Sequence, residues 1–522
     1  MSTSRKSIYW LPTIAALFLA LGLTIGFFLA RRESKGQHNA ANTSNPLLYL
    51  STLLESYYVD PLPPDSIYRY SVEGLLTHLD PHTVYIPASE LQAMNEPLSG
   101  NFFGLGINYF SFQDTLYVRT TMPESPAQKG GILPGDQLIE INQIALHANT
   151  NADSIIKQCL GRTKPESVTL TIRRPSGSIQ AIRILPEKIT RSSLSATVML
   201  DAHCGYIAIE TFSETTADAF HNAIKQLKQQ GLQQLIVDVR GNPGGYMDAV
   251  AQIADELIGG SDTLFYTRDK MGKQALMAGQ PGLFESGPLA ILIDEESASA
   301  SEILAGVIQD YDRGRIYGNR SFGKGLVQEQ FDLPNGDAIR ITTARYYLPS
   351  GRFIQRNYNN LSHNDYFEQI ETLPNDSLHS SPSYTRRLHR KVWSGRGIEP
   401  DVYINNYERI EDIPENPFVR KTVYSLYYRD KKDIPQFTSL AAMQLSARLP
   451  DSWKQTLAQI NGQIPDSMRY WRSTKTAYLE QLALAEWAHI CFGTNGQVAF
   501  SWPHDATLRE ARQGLKHYQG IR

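Results

Sequence analysis

A run of small hydroxyl residues, Ser297-Ala298-Ser299-Ala300-Ser301-Glu302, precedes Gly323-Lys324-Gly325-Leu326-Val327-Gln328 in this chain. A serine hydroxyl is a weak nucleophile until a base takes its proton, and a lysine serves as that base only when it is neutral. At the reference pKa of about 10.4, roughly one lysine in a few thousand is neutral at pH 7. Bringing that pKa down to about 7 takes roughly 4 to 5 kcal/mol of destabilisation of the charged form, which burial can supply. The two segments therefore suggest a hydrolase with Ser299 as nucleophile and Lys324 as base.

Each segment also has a plainer reading. Serines before a helix are common N-caps, and Glu302 stands where a cap partner would. Gly318 to Lys324 satisfies G-x4-G-K, yet Gly325 occupies the position where a phosphate loop needs Ser or Thr for magnesium. Glycines on both sides of Lys324 point to close backbone approach, which a solvated surface lysine does not need. The chain contains no G-x-S-x-G elbow and no H-E-x-x-H.

The elements around these segments alternate apolar strands with amphipathic helices. Leu235 to Val239 is an apolar run typical of a strand buried on both faces. It leads into Arg240-Gly241-Asn242-Pro243-Gly244-Gly245, a turn that neither helix nor strand tolerates. Leu289 to Ile293 is a second buried strand, ending at the serine cluster. A nucleophile at such a strand-to-helix junction stands above the sheet edge, where the Ala300 amide can meet a developing oxyanion. A glycine amide of the Arg240–Gly245 turn can be the second donor.

Residues 100 to 187 read differently. Alternating strands, Ser125-Pro126-Ala127-Gln128-Lys129-Gly130-Gly131-Ile132 and the turn Pro134-Gly135-Asp136 follow Gly104-Leu105-Gly106-Ile107. This order resembles a PDZ domain. In that family the segment matching Gly104–Ile107 binds a C-terminal carboxylate, because glycines let successive N–H groups converge on one anion.

The whole set resembles the C-terminal processing peptidases, or tail-specific proteases, over about residues 46 to 404. Leu79-Asp80-Pro81-His82-Thr83, the PDZ segment, the turn 238–245, SASASE, GKGLVQ, Thr343 to Gly351 and Gly395 to Asp401 carry the resemblance. It implies Ser299 as nucleophile, Lys324 as base at the family's spacing (324 − 299 = 25), and Gln328 as the residue that orients the lysine. It implies an oxyanion hole of Ala300 and a glycine of the turn, here assigned to Gly245. It implies endoproteolysis of proteins with free, apolar C-termini, with no cofactor and no metal. An activator or adaptor protein and homo-oligomers are compatible with it.

Size and composition fit this reading. At 522 residues the chain is long enough for several domains. A net charge of −3 gives no sign of nucleic-acid binding. Cys159, Cys204 and Cys491 are too far apart to suggest a metal site.

Ile8 to Ala30 carries no charge and is long enough to cross a bilayer, so it is read as an uncleaved signal anchor. Cations flank it on both sides, and the charge pattern leaves its orientation open. The resemblance implies a periplasmic catalytic part on a single-pass inner-membrane protein.

The expected organisation is a cytoplasmic N-terminus (1–7), an anchor (8–30), a linker (31–45) and a helical segment (46–99). A β-rich PDZ domain (100–187) and an α/β peptidase core (188–404) follow, the core being a mixed sheet with helices. A polar, exposed insertion (356–390) interrupts the core, and a helix-rich extension (405–522) without a readable motif ends the chain.

Overall fold

The computed structural model describes residues 45–147, 152–160, 166–359, 361, 363–368, 382–404, 416–473 and 475–516. The expected anchor, residues 8–30, lies outside them. Among the described residues no helix is long and apolar enough to cross a membrane.

The chain divides into two units, residues 1–79 and 80–522. The first contributes helices α1 (Pro46–Tyr57) and α2 (Pro64–Leu76), in the part expected to be helical. Proline in the first turn of each helix fits a position whose N–H has no intrahelical partner.

The second unit opens with strand β1 (Val84–Ile86) and helix α3 (Ala88–Ser99). Strand β2 (Asn101–Gly104) then leads into β3 (Ile107–Phe112), β4 (Thr115–Thr121), β5 (Gln137–Ile141) and β6 (Ile144–Ala145). After helix α4 (Ala152–Leu160) come β7 (Val168–Arg173), β8 (Ile179–Ile184) and β9 (Glu187–Thr190). Strands β3-β4-β5-β7-β8 form one antiparallel sheet, β6 pairs with β5, and β2 pairs with β9. This is the expected PDZ segment. Its own core includes Leu116, Val118, Ile141, Leu170 and Ile172.

The α/β core is built from β10 (Leu194–Met199), β11 (Cys204–Ile209), α5 (Thr216–Gln229), β12 (Gln234–Asp238) and α6 (Met247–Leu257). It continues through β13 (Thr263–Arg268), β14 (Lys273–Met277), β15 (Leu289–Ile293), α7 (Ala300–Asp310) and β16 (Arg315–Gly318). Strands β17 (Leu326–Asp332) and β18 (Ala338–Tyr347), the short helix α8 (His363–Glu368), and β19 (Val402–Tyr403) complete it. The main sheet runs β10-β11-β12-β15-β16-β19. Only β10 is antiparallel to its neighbour; the rest are parallel. A second, antiparallel sheet runs β1-β18-β13-β14, with β17 also on β18.

A parallel sheet needs both faces covered. Leu235, Val237, Leu289 and Ile291 point to one face and pack with α5, α6 and α7. Alternate residues Ile236, Ala290 and Leu292 point to the other face. That second face is covered by the extension: α9 (Pro417–Asp430), α10 (Leu440–Ser446), α11 (Asp451–Gln463), α12 (Thr476–Ser501) and α13 (Ala506–Lys516). Trp453, Leu482, Trp487 and Leu508 fill that layer. The extension is thus the second half of the hydrophobic sandwich.

The extension also holds the PDZ domain. Ile107 and Tyr109 face the PDZ core, whereas Phe110 and Phe112 are buried with Phe418 and Ile464 of the extension. A register shift between Asn108 and Tyr109 accompanies this division of β3 between two cores. Phe112 meets Phe418 edge to face at 4.9 Å, Arg420 lies over Phe110, and the Tyr424 hydroxyl donates to the Arg119 carbonyl at 3.0 Å.

Candidate active site

Two loops leave the C-terminal ends of the adjacent parallel strands β12 and β15, the place where open α/β sheets hold their ligands. The Gly241 amide donates to Asp294 Oδ1 at 2.9 Å, and Ser297 Oγ donates to the Val239 carbonyl at 2.8 Å. The buried Asn242 ties the loops further. Its carbonyl accepts from the Ala298 amide at 3.0 Å and from Ser301 Oγ at 2.9 Å, and its Nδ2 donates to the Ile209 carbonyl at 2.8 Å.

This lacing places Ser299 at the N-cap of α7 with φ 53° and ψ −110°. A left-handed conformation at a residue with a side chain costs about 1 to 3 kcal/mol and persists only when its surroundings enforce it. Gly244 (φ 105°) provides the room: a Cβ there would lie 2.8 Å from both the Ala298 carbonyl oxygen and Ser299 Cβ. The helix-cap and strand-end readings of Ser299 therefore coincide at one position.

Lys324 approaches from the loop between β16 and β17. Glu302, fully buried, joins the two loops. Its Oε2 accepts the amides of Ser299 at 2.9 Å and Lys324 at 2.8 Å. Its Oε1 accepts the Gly323 amide at 2.7 Å and Ser321 Oγ at 2.6 Å. The Tyr346 hydroxyl lies 2.7 Å from the Lys324 carbonyl oxygen and 3.3 Å from that of Ser299.

Lys324 Nζ donates to Gln328 Oε1 at 2.7 Å, and Gln328 Nε2 donates to the His82 carbonyl. No hydrogen bond joins the Ser299 hydroxyl to Lys324 Nζ among the described residues. Burial, reinforced by the positive charge of Arg340, lowers the Lys324 pKa to about 8 against the pull of Glu302 and Asp80. Burial pushes the Glu302 carboxyl up to about 7, while its four hydrogen bonds pull the other way.

The backbone donors divide clearly. The Gly244 amide is occupied, donating to Asn242 Oδ1 at 2.8 Å. Those of Ala300 and Gly245 have no acceptor among the described residues. Gly245 (φ 144°) abuts Phe212, whose carbonyl oxygen would lie 2.1 Å from a Cβ there.

The Gly104–Ile107 segment joins β2 and β3, which pair in other sheets than the strands carrying these loops. The Leu105 and Gly106 amides likewise donate no hydrogen bond among the described residues, while their carbonyls accept from Ala127 and Met122. Gly106 (φ 75°) packs so tightly on Ser125 that a Cβ would lie 2.3 Å from it. Among the described residues no group of three or more His, Cys, Asp and Glu is arranged to hold a metal ion.

Residues 203–359 match the family model of peptidase family S41, and residues 117–174 match that of a PDZ domain. The α/β core is thus similar to peptidase family S41. Among its relatives is a probable CtpA-like serine protease of Staphylococcus epidermidis, 28% identical over 408 residues, covering 77% of this chain and 72% of the relative. One of the same description from Staphylococcus aureus is 29% identical over 342 residues, covering 65% and 68%. A photosystem II D1 C-terminal processing protease structure is 24% identical, with a TM-score of 0.37, over 70% of this chain and 88% of that one. A putative S41 protease structure from Bacteroides fragilis is 11% identical, with a TM-score of 0.39, over 69% and 90%. By the family models and the curated relatives, the chain is similar to serine proteases of family S41 and to PDZ domains.

The S41 match contains Asn242, Gly244, Ser299, Glu302, Lys324, Gln328 and Tyr346. It excludes two residues that touch the site's supports. His82 lies far upstream, and Tyr366 lies in the stretch expected to be an exposed insertion. Instead, Tyr366 is buried, with the Arg356 guanidinium 3.9 Å from its ring centre. Glu302 was legible only as a helix-cap partner of Ser299, through the Ser-x-x-Glu spacing. Nothing in the sequence marks it as the acceptor for a second loop.

Proposed function

We propose that this chain is an S41 peptidase that hydrolyses peptide bonds with Ser299 as nucleophile and neutral Lys324 as general base. Lys324 takes the Ser299 proton as the hydroxyl oxygen attacks the scissile carbonyl, and gives it to the departing amine when the tetrahedral intermediate collapses. Water then attacks the acyl-enzyme by the same route. The amides of Ala300 and Gly245 hold the oxyanion, since both are uncommitted, Ala300 follows Ser299, and Gly245 follows the Gly244 that packs on Ser299. Gln328 orients the lysine. For the proton transfer, Lys324 Nζ swings from Gln328 toward Ser299, a side-chain rotation within a fixed loop.

The observation that carries this reading is the shared acceptor Glu302, which fixes the serine and lysine loops to each other while burial lowers the lysine pKa. The uncommitted amides of Leu105 and Gly106 support capture of a substrate's C-terminal carboxylate by Gly104–Ile107. The expected division into domains, with an anchor at 8–30 and the catalytic part outside the cytoplasm, belongs to the same proposal.

The test uses a loosely folded protein ending in apolar residues. Wild type cleaves it, and Ser299→Ala and Lys324→Ala do not; cleavage by either variant at the wild-type rate overturns the dyad. Removing the last three substrate residues raises KM if the PDZ loop binds the tail, and leaves it unchanged if it does not.

A further inference from the structure

The hydrogen bonds that support Lys324 do not end at Gln328. Gln328 Nε2 donates to the His82 carbonyl. An amide whose NH2 is pinned to a carbonyl must present its oxygen elsewhere, and here that oxygen faces Lys324 Nζ. The His82 ring, turned inward, lies with Nε2 3.1 Å from the Tyr366 hydroxyl. The same hydroxyl accepts from Gln355 Nε2 at 3.0 Å. Gln355 Oε1 accepts the Gly325 amide at 2.8 Å. One phenol oxygen thus bridges two supports that bracket the lysine, at Gly325 and at Gln328.

We propose that Tyr366 is a positioning residue for Lys324, acting through His82 and Gln355. This rests on the Ser299–Lys324 reading and extends it to a segment beyond the S41 match. Tyr366 is 1% exposed. Its ring is held by Arg356, which also donates Nη2 to the Tyr366 carbonyl at 2.6 Å, and by edge contacts with His82 and Phe322. Phenylalanine would fill that space equally well. A buried hydroxyl costs free energy unless it is hydrogen-bonded, and this one bonds to His82 and Gln355, both of which lead to the lysine loop. The circuit runs Lys324, Gln328, His82, Tyr366, Gln355, Gly325 and back to Lys324, drawing on three separate stretches of the chain. The charges facing Lys324 are Glu302, Asp80 and Arg340. Within the circuit His82 and Tyr366 are the other ionisable side chains, and Arg356 stacks on the Tyr366 ring.

The experiment compares the full chain with its Tyr366→Phe variant, with Ser299→Ala and Lys324→Ala in parallel, on one short peptide and across pH. Tyr366→Phe keeps the packing and removes both bridging bonds. Its kcat is expected to fall about tenfold with KM within about twofold, as for loss of an interaction that serves the transition state. A loosened loop admits water to Lys324, so the acid limb of the pH–rate profile is expected to move to higher pH by about 0.5 unit or more. A folded variant with wild-type kcat and an unmoved limb overturns the proposal. So does a fall in kcat that only matches the fraction unfolded. If Tyr366→Phe does not fold, Gln355→Met opens the same circuit at Gly325; the same two shifts support the proposal, and their absence overturns it. Activity in Ser299→Ala or Lys324→Ala would instead sink the dyad itself. Loss of activity in both, with Tyr366→Phe unchanged, sinks only the role of Tyr366.

Discussion

Glu302 Oε2 accepts the backbone amide of Lys324 at 2.8 Å and, through the same atom, that of Ser299 at 2.9 Å. Two loops separated by the length of α7 and β16 are thereby set by one buried oxygen. A carboxylate presents only acceptors, and all four groups around Glu302 act as donors here. Glu302→Gln places an NH2 against one pair of them in either orientation. We expect a stability loss of about 1 to 3 kcal/mol from unpaired buried donors, together with at least about a tenfold loss of kcat as the loops separate. Thermal denaturation and steady-state hydrolysis check both. A lower Tm with unchanged kcat would show that Glu302 holds the fold without setting the site.

Hydrolysis is expected to rise with pH along an acid limb near pH 8, where burial has brought the Lys324 pKa. At pH 7 about one lysine in ten is then neutral, against about one in a few thousand at the ordinary value. A kcat/KM profile with no inflection between pH 7 and 9 would remove Lys324 from the base role.

The same shift acts on stability with a defined sign. The native Lys324 binds fewer protons than the unfolded one between pH about 8 and 10.5, so its contribution to stability improves as pH rises through that window and is least favourable below it. Glu302 has a raised native pKa, so the native state binds more protons between pH 4.5 and about 7, and its contribution weakens as pH rises through that range. Between pH about 7 and 8 both buried charges are present. Lys324→Met is therefore expected to raise Tm by a few degrees at pH 7.5 while abolishing hydrolysis, the exchange of stability for function seen at strained sites. Calorimetry at pH 7.5 measures it; a lower Tm would mean that the attraction to Glu302 outweighs desolvation.

Gly244 and Gly245 are expected to fail differently. An alanine Cβ at Gly244 presses directly on Ser299 Cβ and the Ala298 carbonyl, so Gly244→Ala should lower kcat by about a hundredfold, the scale of a sub-ångström misplacement at a reacting group. At Gly245 the collision is with the Phe212 backbone, next to the bond from the Tyr246 amide to the Phe212 carbonyl at 2.7 Å. Gly245→Ala should chiefly lower Tm. Matched Tm and kcat measurements separate the two, and equal effects on both quantities would refute the distinction.

Phe112→Ala tests the seat of the PDZ domain. Removing a buried phenylalanine typically costs about 3 to 5 kcal/mol, and here the loss falls on the contact with Phe418. Hydrogen exchange is expected to accelerate in residues 101–190 and to stay slow in β11, β12 and β15. Uniform acceleration would mean that the contact supports the whole molecule.

The sequence announces what is contiguous and conceals what is assembled. The apolar runs at 235–239 and 289–293 declare buried parallel strands, and the loops that follow them declare Ser299 and the glycine turn, because each signal lies within a few residues. Glu302 reads as a helix cap, since three of its four donors come from residues 321–324, brought in only by the fold. Tyr366 is one aromatic residue in a polar stretch, and local pattern cannot show its path to His82. The extension's amphipathic helices are visible as helices, but periodicity does not say which sheet face they cover. Its role appears only when Ile236 and Leu292 are found packed with Trp487.

Ser299 holds a backbone conformation that its own neighbours in sequence do not favour, and the groups that impose it come from Asn242, Glu302 and Tyr346. On the proposed reading, a chain still emerging from the ribosome has the serine well before it has Tyr346, and Tyr346 well before the extension that closes the sheet's second face. The serine's conformation is therefore complete only once residues as far apart as Asn242 and Tyr346 have come together.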